Sequence, residues 1–438
     1  MKIQPAARIR GQVSVPGDKS ISHRAAIIAA LAEGSSLLAN YSTSQDCAST
    51  LSCLRSLGVG IQQWESEVRI HGRGARGLAP SPVPLDCGNS GSTMRMLAGV
   101  LAGQAFDSNL TGDTSLRARP MKRIVEPLVL MGAHVHAEDN RPPLRIEGSN
   151  SLKAIRYELP VASAQVKSCI LLAALNAQGR TEVVESAGAT RDHTERMLRW
   201  FGVPLETSGG TDGTPAIAIN GPAGYAARDV NIPGDISSAA FLIGAAALLP
   251  GSELRIQNVG LNASRAQILT LLNSFGFEIE IRNQREDCNE PLGDLVIKRI
   301  AGTLVVPSDR PHRVDGPLVA QLIDELPLLA VIGSQLVGGL EIRDAAELRL
   351  KETDRIAATI TNFRAMGAAV DEFEDGLVVS GPTALKGAQL NAFGDHRIAM
   401  AFTVAALLAG GESEILGADC VAISFPEFFD LLSSVVER

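Results

Sequence analysis

Apolar residues along this chain gather into long blocks, and the blocks repeat. Six copies share a small polar opening, an Ala- and Leu-rich stretch and a glycine. They read PGDKSISHRAAIIAALAEG from Pro16, GNSGSTMRMLAGVLAG from Gly88 and VASAQVKSCILLAALNAQG from Val161, then PGDISSAAFLIGAAALLPG from Pro233, DELPLLAVIGSQLVGG from Asp324 and FGDHRIAMAFTVAALLAGG from Phe393. Asp, Ser or Asn at the opening predicts a helix cap, and the closing glycine predicts the stop. Helices that are apolar nearly all round belong inside a fold. A strand-like run follows each glycine, from SSLLANYS in the first copy to ESEILGADC in the last. A second, amphipathic helix then closes on a hydrophobic–Gly–hydrophobic signature in LRSLGVGI, LVLMGAHV, LRWFGVPL, LNSFGFEI and FRAMGAAV, whereas the sixth copy ends in FPEFFDLLSSVVER.

The closing glycines Gly34, Gly103, Gly179, Gly251, Gly339 and Gly411 recur at intervals of 69 to 88 residues. That period is too long for the common solenoids. Six helix-plus-sheet units predict an α/β protein of two pseudo-symmetric lobes, three units each, with the boundary near residues 227–234, where PGD reappears. One large α/β sheet with coincidental spacing is the alternative that pattern alone leaves open.

Composition narrows the function. The 438 residues suffice for two or three domains. A net charge of −8 argues against a nucleic-acid binder. The longest apolar stretches, 239–249 and 398–409, fall short of the roughly 20 residues of a membrane span. MKIQPAARIRGQ lacks the apolar segment of a secretory signal. Six cysteines without a CxxC pair, and no histidine at ligand spacing, predict reduced thiols and no metal site, hence a cytoplasmic protein. GxGxxG after a strand, GxxxxGK[ST], HExxH and GxSxG are all missing.

Buried helix starts offer unpaired N–H groups and partial positive charge, the makings of an anion site. Here cations sit beside them: Lys19, Arg24, Arg95, His396 and Arg397, joined by Arg117, Arg119, Arg191, Lys351 and Arg355. Two cations about 4 Å apart repel by about 4 kcal/mol at an effective dielectric of about 20. Grouping them in an acidic protein therefore predicts an anionic ligand, although any one of them also suits a helix cap or the surface. The spacing predicts Lys351 and Arg355 on one helix face, flanked by Glu352 and Asp354. Asp324 and Glu325 open an apolar helix, which suits either chemistry or capping; His396 suits a general acid or a capped core residue equally.

Taken in order, PGDKSISHR, GNSGSTMR, GDTSLRARP, ASAQVKS, DELP, LRLKETDR, GDHRIAM and SFPEF resemble the 5-enolpyruvylshikimate-3-phosphate synthases over nearly the whole chain, and VASAQVKS with TRDHTE resembles their bacterial class II branch. The resemblance implies a two-lobed inside-out α/β barrel of six βαβαββ units, helices inside and sheets outside. One lobe would span residues 15–231, the other residues 1–14 and 232–438, with the site in the cleft between them. It implies transfer of the enolpyruvyl group of phosphoenolpyruvate to the 5-hydroxyl of shikimate 3-phosphate, without metal or organic cofactor, by a monomer acting on small molecules and on neither nucleic acid nor membrane.

Residue by residue, the resemblance implies that Lys19, Ser20, Arg24, Ser163, Gln165, Arg191, Asp324 and Lys351 hold shikimate 3-phosphate. Lys19, Gly91, Arg119, Gln165, Arg355 and Arg397 would hold phosphoenolpyruvate. Asp324 would be the base for the 5-hydroxyl and Glu352 the proton donor to carbon, with Lys19 stabilising the departing phosphate and His396 supporting the site. Gly91 implies sensitivity to glyphosate. Ala164, Glu347 and Ile423 depart from the commoner serine, asparagine and lysine. UDP-N-acetylglucosamine enolpyruvyl transferases share fold and donor, but usually carry a cysteine in the loop matching residues 112–120, and GDTSLRARP has none.

Overall fold

Each predicted block becomes a buried helix. We number these α1 (Lys19–Ala30), α2 (Gly91–Leu101), α3 (Ala164–Ala174), α4 (Ile236–Leu248), α5 (Leu326–Gly333) and α6 (His396–Leu407). The structure, a computed structural model, describes residues 1–209, 213–300 and 310–438. Asp18, Ser90, Ser163, Asp235 and Asp395 cap five of the six helices through their side chains. Glu325, before α5, makes no such cap.

The closing glycines do not stop these helices. Their last turns end earlier, at Leu31, Leu175 and Leu408 for example, in ordinary right-handed conformation. Gly34 and Gly179 instead open the next strand at φ 110° and 102°, which a side chain would strain. The second helices are where glycine stops the chain. Gly58, Gly132, Gly202, Gly276 and Gly367 follow them at φ between 79° and 90°. Each donates its N–H to the turn behind while the next residue reaches one carbonyl further back, as Gly58 does to Arg55 and Val59 to Leu54. One helix end repeated five times is strong structural support for the sequence period.

The chain divides into two compact units. The first holds Gly17–Ile232 with Glu286–Glu290; the second holds Met1–Pro16, Pro233–Arg285 and Pro291–Arg438. The short stretch Glu286–Glu290, at the turn of the hairpin formed by Glu278–Asp287 and Glu290–Lys298, was not foreseen as part of the first unit. It belongs there because Cys288 joins that unit's apolar core and Asn289 and Glu290 bond Arg196 and His193.

Among the described residues the strands form six sheets, three per unit. The strand after each buried helix pairs in parallel on one side and antiparallel on the other. Ser108–Thr111 lies so between Leu85–Asp86 and Leu144–Ile146, and Leu340–Ile342 between His312–Val314 and Gly376–Val379. The parallel partner comes from just before the helix in four repeats. In the other two the chain swaps: Val230–Asn231 serves the first sheet, and Arg8–Ser14 joins Glu253–Gly260 in the second unit. Inside each unit the helices are almost wholly buried; every residue of α4 and α6 is. This leaves the helix starts as the places where polar side chains can gather.

Candidate functional site

In the first unit the starts of the three buried helices are stitched together by polar side chains. Gln165, second residue of α3, takes a 2.6 Å bond from Arg95 of α2 and gives a 2.8 Å bond to Ser92. Arg24 of α1 gives Nε to Thr194 Oγ1 (2.7 Å), one amino group to Ser168 of α3 (2.9 Å) and the other to the Ser20 carbonyl (2.8 Å). Lys19, first residue of α1, lies 3.0 Å from the carboxylate of the buried Asp46. Arg119 follows the short helix Thr114–Ala118 and bonds Asn89 (2.8 Å) and Ser115 (3.2 Å). A Cβ on Gly91 would fall 2.8 Å from the Arg95 guanidinium and 3.6 Å from that of Arg119, so this glycine sits against both cations. Ser20 lies in the first turn of α1, Ser163 caps α3, and Arg191 lies in the turn before helix His193–Trp200. His23, bonded to Thr50, is pushed well below the usual histidine range by burial and by neighbouring Lys19 and Arg24, and stays uncharged.

The helix starts of the second unit converge in the same way, but on carboxylates. Ser237 of α4 donates to Glu325 Oε1, and Arg265 reaches Ser237 Oγ at 2.6 Å. Arg397 of α6 lies 3.8 Å from Glu325 and 4.0 Å from Asp324. Arg355 opens helix Arg355–Ala365 and is 2% exposed. Its guanidinium meets Asp395 at 2.8 Å, Glu352 at 2.7 Å and Asp324 at 3.8 Å. Burial opposes its charge, but Asp395 and Glu352 outweigh burial and hold its proton above the ordinary arginine range. The structure thus brings together Asp324, Glu352, Arg355 and Arg397. His396, first residue of α6 and sequence neighbour of Arg397, is 2% exposed.

Lys351 does not share a helix face with Arg355. It follows the 3-10 turn Ala346–Leu350, and the helix begins only at Arg355, because Asp354 takes extended backbone to cap Ala357. Lys351 bonds Glu347 at 3.1 Å, so the unusual glutamate there compensates a cation assigned to the site. Ala164 opens α3, and Ile423 ends the 3-10 turn Ala418–Ile423.

Sequence reasoning missed Asp46 and Asp395, which pair with the candidates Lys19 and Arg355, and also Arg265 and Lys167, which bond Ser237 and Glu185. Asp395 was legible as the cap in FGDHR; the others show no local signal. Among the described residues no group of three or more His, Cys, Asp or Glu side chains is arranged to hold a metal. No described helix is long and apolar enough to cross a membrane.

Comparison with known proteins finds relatives along the full length of the chain. The 3-phosphoshikimate 1-carboxyvinyltransferases of Koribacter versatilis and Solibacter usitatus are 51% and 48% identical, each aligned over 100% of this chain and 99% of theirs. The EPSP synthase of Acinetobacter baumannii superimposes with a TM-score of 0.87 at 38% identity, over 99% of this chain and 98% of the other. The enolpyruvyl transferase NikO of Streptomyces tendae, 18% identical, shares the fold with a TM-score of 0.80 over 100% of this chain and 97% of its own. The profile of EPSP synthase (3-phosphoshikimate 1-carboxyvinyltransferase) matches residues 3–432, and the chain belongs to that family.

Proposed function

We infer that this chain transfers the enolpyruvyl group of phosphoenolpyruvate to the 5-hydroxyl of shikimate 3-phosphate, releasing phosphate, on the route to chorismate and the aromatic amino acids. The observation that carries the reading is the meeting of two half-buried acids, Asp324 and Glu352, with two buried guanidiniums, Arg355 and Arg397, in a chain of this family. Transfer needs a base at the hydroxyl, an acid at the methylene carbon and cations for the leaving phosphate. Asp324 takes the hydroxyl proton as oxygen attacks C2, while Glu352 protonates the methylene carbon. The tetrahedral adduct then expels phosphate and returns a methyl proton. Arg355 holds Asp324 and Glu352 on one guanidinium, so the same cation orients both proton-transfer groups and contacts the donor.

On this reading Lys19, Ser20, Arg24, Ser163, Gln165, Arg191, Asp324 and Lys351 bind shikimate 3-phosphate. Phosphoenolpyruvate is held by Lys19, Gly91, Arg119, Gln165, Arg355 and Arg397. Lys19 meets the departing phosphate and His396 supports the acid–base pair. Six unbridged cysteines suit a reducing cytoplasm, where the chain works as a monomer. The test is phosphate release from phosphoenolpyruvate. Release that requires shikimate 3-phosphate supports the assignment; release driven by UDP-N-acetylglucosamine instead would overturn it.

A further inference from the structure

Helix His193–Trp200 begins without a side-chain cap from Asp192, yet its first three residues are each anchored by a buried side chain. His193 Nδ1 lies 2.7 Å from Glu290, Thr194 Oγ1 accepts from Arg24 at 2.7 Å, and Glu195 Oε1 lies 2.6 Å from Lys167 Nζ. Lys167, on the first turn of α3, also reaches Glu185 Oε1 at 2.8 Å. That oxygen accepts two further bonds, from the Thr190 N–H (2.8 Å) and the Thr190 hydroxyl (2.6 Å). One ammonium therefore fastens both ends of segment 185–195, and Arg191 stands inside it.

The three charged side chains are 1%, 5% and 3% exposed. Desolvating an ammonium and two carboxylates costs several kcal/mol per ion before their attraction offsets it, and apolar side chains of equal volume often stabilise a fold as well. Apolar groups could not accept the two Thr190 bonds that set the backbone next to Arg191. Burial pushes the Glu195 carboxyl above its ordinary range, against the pull of Lys167, which marks an arrangement poor for stability alone.

We propose that Lys167, Glu185 and Thr190 are positioning residues that fix Arg191 for the phosphate-bearing acceptor substrate. The inference rests on the assignment of Arg191 to shikimate 3-phosphate made above. Neither Lys167 nor Glu185 touches substrate; both act through the Thr190–Arg191 backbone.

Lys167→Met would leave two carboxylates buried together, so the test uses Thr190→Val, which removes one hydroxyl, with Thr190→Ser as the restoring variant. Thr190→Val is expected to raise KM for shikimate 3-phosphate about tenfold, with kcat and KM for phosphoenolpyruvate within about twofold. Thr190→Ser should return KM to the parent value. Arg191→Gln should raise the same KM, and adding Thr190→Val to it should cost less than about twofold more, because the group being positioned is gone. An unchanged KM in Arg191→Gln overturns the assignment of Arg191 and the inference with it. A raised KM in Arg191→Gln alongside a parent-like Thr190→Val overturns the positioning role alone, as does a full tenfold cost of Thr190→Val in both backgrounds.

Discussion

The two units hold guanidiniums at converging helix starts through different partners, while the Lys19 ammonium of the first lies 3.0 Å from the Asp46 carboxylate. In the first, Arg24, Arg95 and Arg119 are steadied by hydroxyls, a carbonyl and amide oxygens: Thr194, Ser168, Ser20, Gln165, Asn89 and Ser115. In the second, Arg355 and Arg397 are steadied by Asp395, Glu352, Asp324 and Glu325. Neutral partners fix a guanidinium without cancelling its charge, which suits the capture of an acid bearing both phosphate and carboxylate. Carboxylate partners cancel charge but supply groups that move protons. With the roles proposed above, the difference would be a division of labour, with anion binding weighted to the first unit and proton transfer to the second.

The largest effect that division predicts falls on the two acids. Asp324→Asn and Glu352→Gln should each lower kcat by about a thousandfold, within the range of general acid–base catalysis, with KM for shikimate 3-phosphate changed far less. Steady-state phosphate release measures both. Parent-like turnover in either variant would remove that residue from the chemistry.

Next comes the cost of the carboxylate dressing. Asp395→Asn takes the charge from a fully buried side chain and leaves Arg355 undercompensated, which should cost about 3 kcal/mol in urea unfolding. Thr194→Val, its counterpart on Arg24, should cost about 1 kcal/mol. Equal losses would erase the contrast between charged and neutral partners.

Much of this was legible in the sequence, and for a physical reason. The repeat showed because a helix buried on all sides must be apolar on all sides, and the Gly-terminated second helices recur because only glycine relaxes at those φ values. Lys19, Gly91, Gln165, Arg355 and Arg397 lie at helix starts beside visible caps, whereas Arg119, Arg191 and Lys351 do not and were assigned through the family motifs. What did not show is what crosses between elements. Asp46 reaches Lys19 from another helix, and Lys167 looks like one polar residue in an apolar run until Glu185 and Glu195 fold onto it. The supposed Lys351–Arg355 helix face failed because Asp354, read as a flanking charge, is the cap, so the helix begins only at Arg355.

A smaller effect separates carboxylates that carry the fold from those that carry the reaction. Asp294 takes bonds from Arg255, Asn283 and the Asn258 N–H. Burial alone would raise its pKa, but these bonds prevail and bring it down to about 2. With the folded pKa below the unfolded one, its contribution is whole above the unfolded value and is lost as pH falls through the folded one, from about pH 4 to pH 2. That contribution is about 2 kcal/mol. Asp294→Asn should flatten stability across that window and leave kcat at neutral pH unchanged. A loss of turnover comparable to that of Asp324→Asn would mean that carboxylates in the second unit cannot be sorted this way.

The smallest structural effect belongs to Gly91, where the first unit's cations come nearest to a bare backbone. An added Cβ meets Arg95 Nη1 at 2.8 Å and Arg119 Nη1 at 3.6 Å, both at the ends of flexible side chains rather than on backbone. Gly91→Ala should therefore fold with less than about 1 kcal/mol lost. The yielding group is Arg95, whose 2.6 Å bond to Gln165 must lengthen or turn. Because Gln165 and Arg119 are both assigned to phosphoenolpyruvate, KM for that substrate should rise a fewfold while KM for shikimate 3-phosphate holds. If glyphosate, itself an anion, competes for the same cations as Gly91 implies, it should lose more than the substrate does, so its inhibition constant should rise further than KM. Equal rises would mean that the methyl group acts on both ligands only through Arg95, and a larger rise for shikimate 3-phosphate would move Gly91 to the other substrate.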